Sequence, residues 1–226
     1  MTGRTRIGLQ TEEAVIPAKV QSSWAYAERY AGEDDVLERA RRRARQHGVA
    51  PIPPAGGAML RFLAAALGAR AVVEIGTGTG VSSVCLLRGM RSDGVLTSVD
   101  VEPDHQRLAR ETLADAGFAA NRTRLIYGRA LEVLPRLADG GYDLVFCDGD
   151  RTEYGLYLAE ALRLLRSGGV VAFGSVLGDD RLADPSVRDP ETVGIRDLGN
   201  VIRDDPGLAP VLLPVGDGLL CAVKQY

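Results

Sequence analysis

A glycine-rich turn between a strand-like and a helix-like segment is the feature that most constrains this chain. The turn reads Glu74-Ile75-Gly76-Thr77-Gly78-Thr79-Gly80 and follows Ala71-Val72-Val73, a β-branched run typical of a buried strand. Residues 81–87 then have the spacing of a helix start. Strand, glycine turn and helix together hold nucleotide-like ligands against a helix N-terminus, because glycines without Cβ let the backbone approach the ligand closely.

The residues around this turn favour S-adenosylmethionine (SAM) over a dinucleotide. The dinucleotide fingerprint G-x-G-x-x-G, counted from Gly76, requires a glycine where Val81 stands. Glu74, two residues before the first glycine, would repel a pyrophosphate but suits a cationic group such as the amino group of SAM. A NAD(P) site and a plain tight turn stay open as alternatives.

Length and charge set broad limits on the protein. Its 226 residues fit one α/β domain with an N-terminal extension. The net charge of -3 gives no global basis for nucleic-acid binding, and no apolar run is long enough to span a bilayer. Met1–Gln10 lacks the apolar core of a signal peptide. We therefore expect a cytoplasmic protein that binds a small molecule rather than nucleic acid or a membrane.

The order of helix-like and strand-like segments predicts the architecture. Helical spacing predicts helices over Ala18–Tyr30, from Asp34-Asp35 to Gly48, and over Pro54–Leu67. From Arg70 onward strands and helices alternate, which predicts a doubly wound, mostly parallel α/β sheet. The predicted strands are Ala71–Ile75, Val95–Asp100, Thr123–Tyr127, Asp143–Cys147 and Val170–Phe173. The predicted helices among and after them are Val81–Gly89, Pro103–Ala116, Ala130–Leu137, Tyr154–Leu165 and Glu191–Arg203.

The C-terminal end of the chain predicts a reversal of direction. Leu208–Val215 and Leu219–Lys224 have the pattern of two strands joined by the tight turn Gly216-Asp217-Gly218, which indicates a β-hairpin. Because hairpin strands are antiparallel, we expect a seven-stranded sheet with a reversed last strand.

Ligands bind at the carboxyl ends of parallel strands, so the residues just after each strand are the candidate site. Asp100 ends the second strand and can accept both hydroxyls of a ribose, which both SAM and NAD carry. Ala130 follows the third strand, where an adenine edge would lie, and Asp148 follows the fourth. Gly174-Ser175 follows the fifth.

Several of these motifs together resemble the catechol and caffeoyl-CoA type O-methyltransferases, and an actinobacterial branch of that family in particular. The resemblance runs from about Pro54 to the C-terminus. The motifs that carry it are 74–82, 98–103, 145–150, 164–169, 184–190 and 212–218. It implies the class I SAM-methyltransferase fold, with residues 1–53 as an N-terminal helical extension and residues 54–226 as the SAM-binding domain.

The resemblance also implies a role for each candidate residue. Glu74 would meet the amino or carboxylate end of SAM directly or through water, and Asp148 would lie between cofactor and acceptor. The other implied cofactor contacts are Gly76, Thr77 and Ser82 to the methionine part, Asp100 to the ribose, Val101 and Ala130 to the adenine, and Ile52 in the pocket wall. The family further suggests a homodimer, for which the helical face of Val20, Trp24, Tyr26 and Tyr30 is a candidate contact; packing of that face on its own sheet is the alternative.

The sequence departs from the family at the metal site. Family members bind a divalent metal with an Asp after strand four, matched by Asp148, and an Asp-Asn pair after strand five, which falls on Gly174-Ser175. A magnesium ion prefers several oxygen ligands, usually including carboxylates, so this set predicts no metal site. Arg151 stands where the family has a lysine, and arginine stays protonated and cannot act as a base.

The leading hypothesis is SAM-dependent O-methyl transfer to a small hydroxylated acceptor. Without a metal to lower the pKa of the hydroxyl, a phenol is favoured over an aliphatic alcohol. Asp148 is the candidate catalytic residue, orienting or deprotonating that hydroxyl. A SAM-binding protein without transferase activity and an NAD(P)-dependent oxidoreductase stay open as alternatives.

Two further polar features lie near the candidate site in the sequence. His105, in the first turn of the helix after Asp100, is expected to be a surface residue. Asp179-Asp180 lies in the long segment Leu177–Pro190, which is either a solvated loop or part of a lid over the acceptor.

Overall fold

The computed structural model describes residues 18–226, with side chains from Gln21 onward. Met1–Gln10 and the side chain of Val20, both used in the predictions above, lie outside the described residues. The strands are β1 (Ala71–Ile75), β2 (Val95–Asp100), β3 (Thr123–Tyr127), β4 (Tyr142–Cys147), β5 (Leu165–Phe173), β6 (Leu208–Leu213) and β7 (Leu219–Lys224). The helices are α1 (Ala18–Arg29), α2 (Asp35–Gln46), α3 (Pro54–Ala66), α4 (Val81–Gly89), α5 (Pro103–Asp115), α6 (Ala130–Val133), α7 (Tyr154–Leu164) and α8 (Pro190–Asp204).

The strands form one seven-stranded sheet in the order β3-β2-β1-β4-β5-β7-β6. Strand β1 pairs in parallel with β2 and β4, whereas β7 runs antiparallel between β5 and β6. The structure thus confirms the doubly wound sheet with a reversed last strand. The strand order changes direction between β1 and β4, and this switch point is where the crevice of an open α/β sheet lies.

Two predicted elements differ from the structure for local reasons. The predicted helix Ala130–Leu137 divides into α6 and a 3-10 turn at Leu134–Arg136. Pro135 lacks the N–H that an α-helix needs at that point, which explains the division. Strand β5 begins at Leu165 instead of Val170, and its pairing with β4 shifts register between Tyr142 and Leu144.

The core has one apolar cluster on each face of the sheet. One face buries residues such as Tyr154, Phe173 and Ile202 under α7 and α8. The other buries Leu60, Phe146 and others under α3 and α4, together with Leu37 and Ala40 of α2. Helix α2 therefore belongs to the same core as the sheet, although it precedes the first strand.

Helix α1 lies at the edge of this arrangement. Its Glu28 carboxylate accepts hydrogen bonds from the backbone N–H groups of Ala55 at 3.0 Å and Gly216 at 3.2 Å. Trp24, Tyr26 and Tyr30 are 49%, 67% and 77% exposed, so this part of the aromatic face does not pack on the chain's own sheet. Among residues 18–226, no helix is long and apolar enough to cross a membrane.

Candidate functional site

The glycine turn after β1 lies against the end of β4. Gly76 and Gly80 have φ angles of 93° and 83°, a backbone conformation that favours glycine. A Cβ at Gly76 would also collide with the backbone carbonyl of Asp148, so the turn can approach β4 this closely only with glycine. Gly80 ends the turn as the N-cap of α4 and makes no side-chain cap, which leaves N–H groups at this helix terminus open to a ligand.

Two adjoining cavities lie at the carboxyl ends of β1, β2 and β3. The first, of about 240 Å³, has walls formed by Ile52, Thr77 and Ser82 among others. The second, of about 140 Å³, is bounded by Ala130 at the start of α6. Both are lined by Gly76, Asp100 and Val101, together with Gly149 and Asp150. The two cavities form an elongated slot with a carboxylate at its middle, which suits a ligand with a central ribose.

Asp100 is held firmly at the centre of this slot. Its Oδ2 accepts from the backbone N–H of Gly78 at 2.9 Å, and its Oδ1 accepts from the N–H of Glu102 at 2.8 Å. His105 Nδ1 lies 3.4 Å from Asp100 Oδ2, and the imidazole is half-buried and lines the first cavity. His105 thus keeps part of its surface exposed, while the first turn of α5 also places its ring beside the carboxylate.

Glu74 lies behind the turn rather than in the wall of the slot. It is fully buried, and its Oε2 accepts from the hydroxyls of Ser83 at 2.5 Å and Ser98 at 2.6 Å. No hydrogen bond from the described residues reaches Oε1. Burial raises the pKa of Glu74 to about 7, and the nearby hydroxyls of Ser82, Ser83 and Ser98 oppose that rise. Glu74 thus keeps one unpaired oxygen behind the glycine turn, but its carboxylate does not line the slot.

Asp148 lies between this slot and a third cavity of about 470 Å³. Arg151, Ser175, Arg181 and Asp217 also line the third cavity. Burial raises the pKa of Asp148 to about 6; the Ser175 hydroxyl and the Arg151 charge oppose the rise, and Asp217 adds to it. A carboxyl group with such a pKa can hold or release a proton near neutral pH, between a cofactor slot and a second binding space.

The segment after β5 closes on Asp148 where the family has its second and third metal ligands. Gly174 is buried, and a Cβ there would lie 2.7 Å from Asp148 Oδ1. Ser175 has a φ of 54°, and its backbone carbonyl accepts from Arg151 Nη1 at 3.2 Å. Within residues 21–226, whose side chains are described, no group of three His, Cys, Asp or Glu residues is arranged to hold a metal ion.

Sequence reasoning missed several residues of the site. Glu153 and Tyr157 also line the second cavity, beside Arg129, which follows the third strand as expected; Arg129 and the Tyr157 hydroxyl both donate to Glu153 at 2.7 Å. The sequence indicates Asp217 as part of a hairpin turn and of the motif 212–218, with no role in the site. The predicted reversed strand could have indicated the position of Asp217. A strand that runs antiparallel to the others begins at the edge of the sheet where the parallel strands end, so the turn before it lies near the site.

Comparisons with known proteins agree with this geometry. The model of a family described as O-methyltransferase matches residues 27–225. A Mycobacterium tuberculosis protein named "Probable O-methyltransferase" is 50% identical over 209 residues, which cover 92% of this chain and 93% of that one.

Solved structures of similar fold include two with a cofactor or its product. The O-methyltransferase TomG from Streptomyces achromogenes, in complex with SAM, has a TM-score of 0.81 at 28% identity and covers 91% of this chain and 99% of its own. An O-methyltransferase from Bacillus cereus, in complex with S-adenosylhomocysteine (SAH), has a TM-score of 0.81 at 26% identity, with 90% and 99% covered.

Proposed function

This chain belongs to the O-methyltransferase family, and on that premise we propose that it transfers a methyl group from SAM to a phenolic oxygen of a small acceptor. The single observation that carries the proposal is the position of Asp148, which lines both the cofactor slot and the third cavity. A group at that position can act on the acceptor hydroxyl beside the methyl donor.

The residues of the slot suit each part of the cofactor. Asp100 would accept hydrogen bonds from the ribose hydroxyls, and Val101 and Ala130 would flank the adenine. Gly76, Thr77, Ser82 and Ile52 would surround the methionine part, and the unpaired Oε1 of Glu74 lies behind it. When bound, SAM supplies an electrophilic methyl group on its sulfonium sulfur.

The chain's own task is to orient the acceptor and receive its proton. Asp148 can accept the hydroxyl proton, since its raised pKa brings it closer to that of a phenol while leaving it ionised at neutral pH. Alignment of the acceptor oxygen with the donor methyl would come from the walls of the third cavity, and correct alignment alone contributes several kcal/mol, about 7 in favourable cases.

The direct test is turnover with a panel of phenols, using mass spectrometry to detect the methylated product and SAH. We expect transfer to at least one phenol, and loss of about 10²–10⁴-fold in kcat for Asp148→Asn while SAH affinity is retained. SAH binding by calorimetry without any methylated phenol would instead favour a SAM-binding protein that lacks transferase activity.

We further propose that cofactor binding and transfer need no divalent metal. Asp148 is the one carboxylate that matches the family's ligand set, since Gly174 has no side chain and Ser175 offers a hydroxyl. The carboxylate of Asp148 also lies against the space that a Gly174 side chain would occupy. A magnesium ion at such a site would stay largely hydrated and weakly held.

Exhaustive EDTA treatment followed by added magnesium tests this proposal. Activity, or SAH affinity if no acceptor is found, should be unchanged at both steps, whereas loss on chelation and recovery with magnesium would overturn it. As a converse test, Gly174→Asp with Ser175→Asn should create a magnesium dependence absent from the parent. Asn tolerates the left-handed backbone at position 175 better than most residues, whereas the new side chain at position 174 requires the Asp148 carboxylate to rotate away, so circular dichroism of the double variant checks that it folds.

We also propose that the protein is a cytoplasmic homodimer that acts on a small molecule and binds no nucleic acid. The exposed aromatic side chains of α1 support the dimer, because large apolar groups clustered on one helix commonly mark a protein contact. The net charge of -3 supports the absence of nucleic-acid binding.

A further inference from the structure

One arginine side chain makes several hydrogen bonds to a loop segment that contributes to the wall of the third cavity. Arg196 of α8 donates to four backbone carbonyl oxygens, all within the segment 181–187 that precedes the helix. Its Nε donates to Leu182 at 3.0 Å, its Nη1 to Val187 at 2.6 Å, and its Nη2 to Arg181 at 2.9 Å and to Asp184. Arg196 itself does not line the third cavity among the described residues. It is half-buried in a different groove, between α8 and β6.

The segment that Arg196 holds joins the wall of the third cavity, the proposed acceptor site, at Arg181. Gly178, Asp179 and Arg181 line the third cavity opposite Asp148. The start of the segment is tied as well: the N–H of Asp179 donates to Asp217 Oδ1 at 3.0 Å, and Arg181 pairs with Asp189 at 2.6 Å. Beyond Arg181, turn hydrogen bonds such as Ala183 to Asp180 and the carbonyl groups that converge on Arg196 together hold the chain.

Only an arginine side chain can bind these four carbonyl oxygens at the same time. A guanidinium carries five N–H groups in a rigid plane, and four carbonyl oxygens from one segment can be satisfied by it at once. A lysine ammonium has three donors at a single point and cannot span carbonyl groups spread over seven residues. Without the guanidinium, these four carbonyl groups would lose their shared donor, and only the turn hydrogen bonds of the segment would hold it.

We propose that Arg196 is a positioning residue for the methyl acceptor, which it serves by fixing the segment 178–187 as the outer wall of the acceptor cavity. This inference rests on the proposed function for its effect on catalysis. It also predicts an effect on the segment itself, which can be measured without any acceptor. The segment is then a prearranged wall rather than a lid that is disordered until the acceptor binds.

The test compares Arg196→Lys and Arg196→Gln with Arg203→Gln. Arg203 lies on the same helix and lines the same groove, but it is exposed and its ion pair is with the adjacent Asp204. Hydrogen–deuterium exchange should show faster exchange of the amides of Leu182, Ala183 and Val187 in both Arg196 variants, since these amides donate to the nearby carbonyls of residues 177, 180 and 184. Exchange in β1 and SAH affinity should match the wild type, and Arg203→Gln should change none of these.

With a phenol that is methylated, both Arg196 variants should lose roughly 10–100-fold in kcat/KM, chiefly through a higher KM for the acceptor. Unchanged exchange in the segment would overturn the proposal. So would equally fast exchange in β1 and the segment, because Arg196 would then stabilise the whole fold rather than position one wall. If no phenol is methylated by the wild type, the proposed function fails, while the exchange data still decide the role of Arg196 in the segment.

Discussion

Asp100 binds the glycine turn through one carboxylate oxygen and the N–H of Glu102 through the other, and each oxygen keeps lone pairs for the hydroxyls of the proposed ribose. We predict that Asp100→Ala weakens SAH binding in calorimetry. Each lost charge-assisted bond is worth about 1.5–3 kcal/mol before water compensates. Asp104→Ala is the control, because this exposed carboxylate pairs with Arg107 on the same helix. An unchanged affinity in folded Asp100→Ala would remove this residue from the site.

Glu74 should make the stability of the protein depend on pH in an unusual direction. Its folded-state pKa of about 7 lies above the ordinary 4.5, so between these values the folded state binds more protons than the unfolded state. Stability therefore falls as pH rises through that window, by at most about 3 kcal/mol. We predict that Glu74→Gln loses less stability than the wild type between pH 5 and pH 8 in urea denaturation.

The matched control for this experiment is Glu132→Gln, at an exposed position in α6. Its stability should follow the wild-type pH dependence, because an exposed carboxyl is solvated in both states. Parallel curves for Glu74→Gln and the wild type would show that the buried carboxyl does not change its protonation on folding.

At the scale of elements, the close packing of α3 on α4 depends on one glycine. A Cβ at Gly89 would collide with the backbone carbonyl of Arg61 and lie 2.9 Å from the Cβ of Ala64. We predict that Gly89→Ala destabilises the fold by about 1–3 kcal/mol, since two helix backbones would have to separate. Gly194→Ala in α8, where a Cβ meets nothing within 4 Å, should instead stabilise by about 0.4–1 kcal/mol. Chemical denaturation of the two variants measures both effects, and equal stabilities would contradict this account of the packing.

The elements themselves are largely predictable from the sequence, and the reasons are local. Strands β1 and β2 have the predicted bounds, because buried parallel strands form short apolar runs between turn residues. The edge strand β3 also has the predicted bounds, although its residues are only partly buried or exposed. The division of the predicted helix into α6 and a 3-10 turn could also have been predicted, because Pro135 is visible in the sequence. The residues after each strand also indicated where the slot lies, since parallel strands end at one edge of the sheet.

What the sequence could not supply depends on the path of the chain in three dimensions. Glu74 faces the buried serines rather than the slot, and nothing in its neighbours along the chain indicates this orientation. Arg196 reaches carbonyl groups 9–15 residues earlier in the chain, through a loop of no regular pattern. Such contacts follow from the tertiary fold, so composition and periodicity carry no trace of them.

At the scale of the whole molecule, the exposed aromatic residues of α1 and the adjoining Tyr30 predict self-association. We expect sedimentation at micromolar concentration to give about twice the monomer mass of 24.1 kDa. Tyr26→Ser with Tyr30→Ser should shift the protein toward the monomer while SAH affinity is kept. Tyr127→Ser, at a similarly exposed tyrosine at the end of β3, should leave the mass unchanged. A wild-type monomer at this concentration would contradict the proposed dimer.

The two halves of the site come from different parts of the chain, and this division bears on how the enzyme can be altered. The walls of the cofactor slot come from residues 49–157, whereas the far wall of the third cavity comes from 175–181 and Asp217. On the proposed function, exchange of residues 175–226 between related enzymes should change acceptor choice while the slot is inherited unchanged. Asp217 returns to the site through the turn before the reversed strand, so these wall residues lie in one contiguous C-terminal stretch.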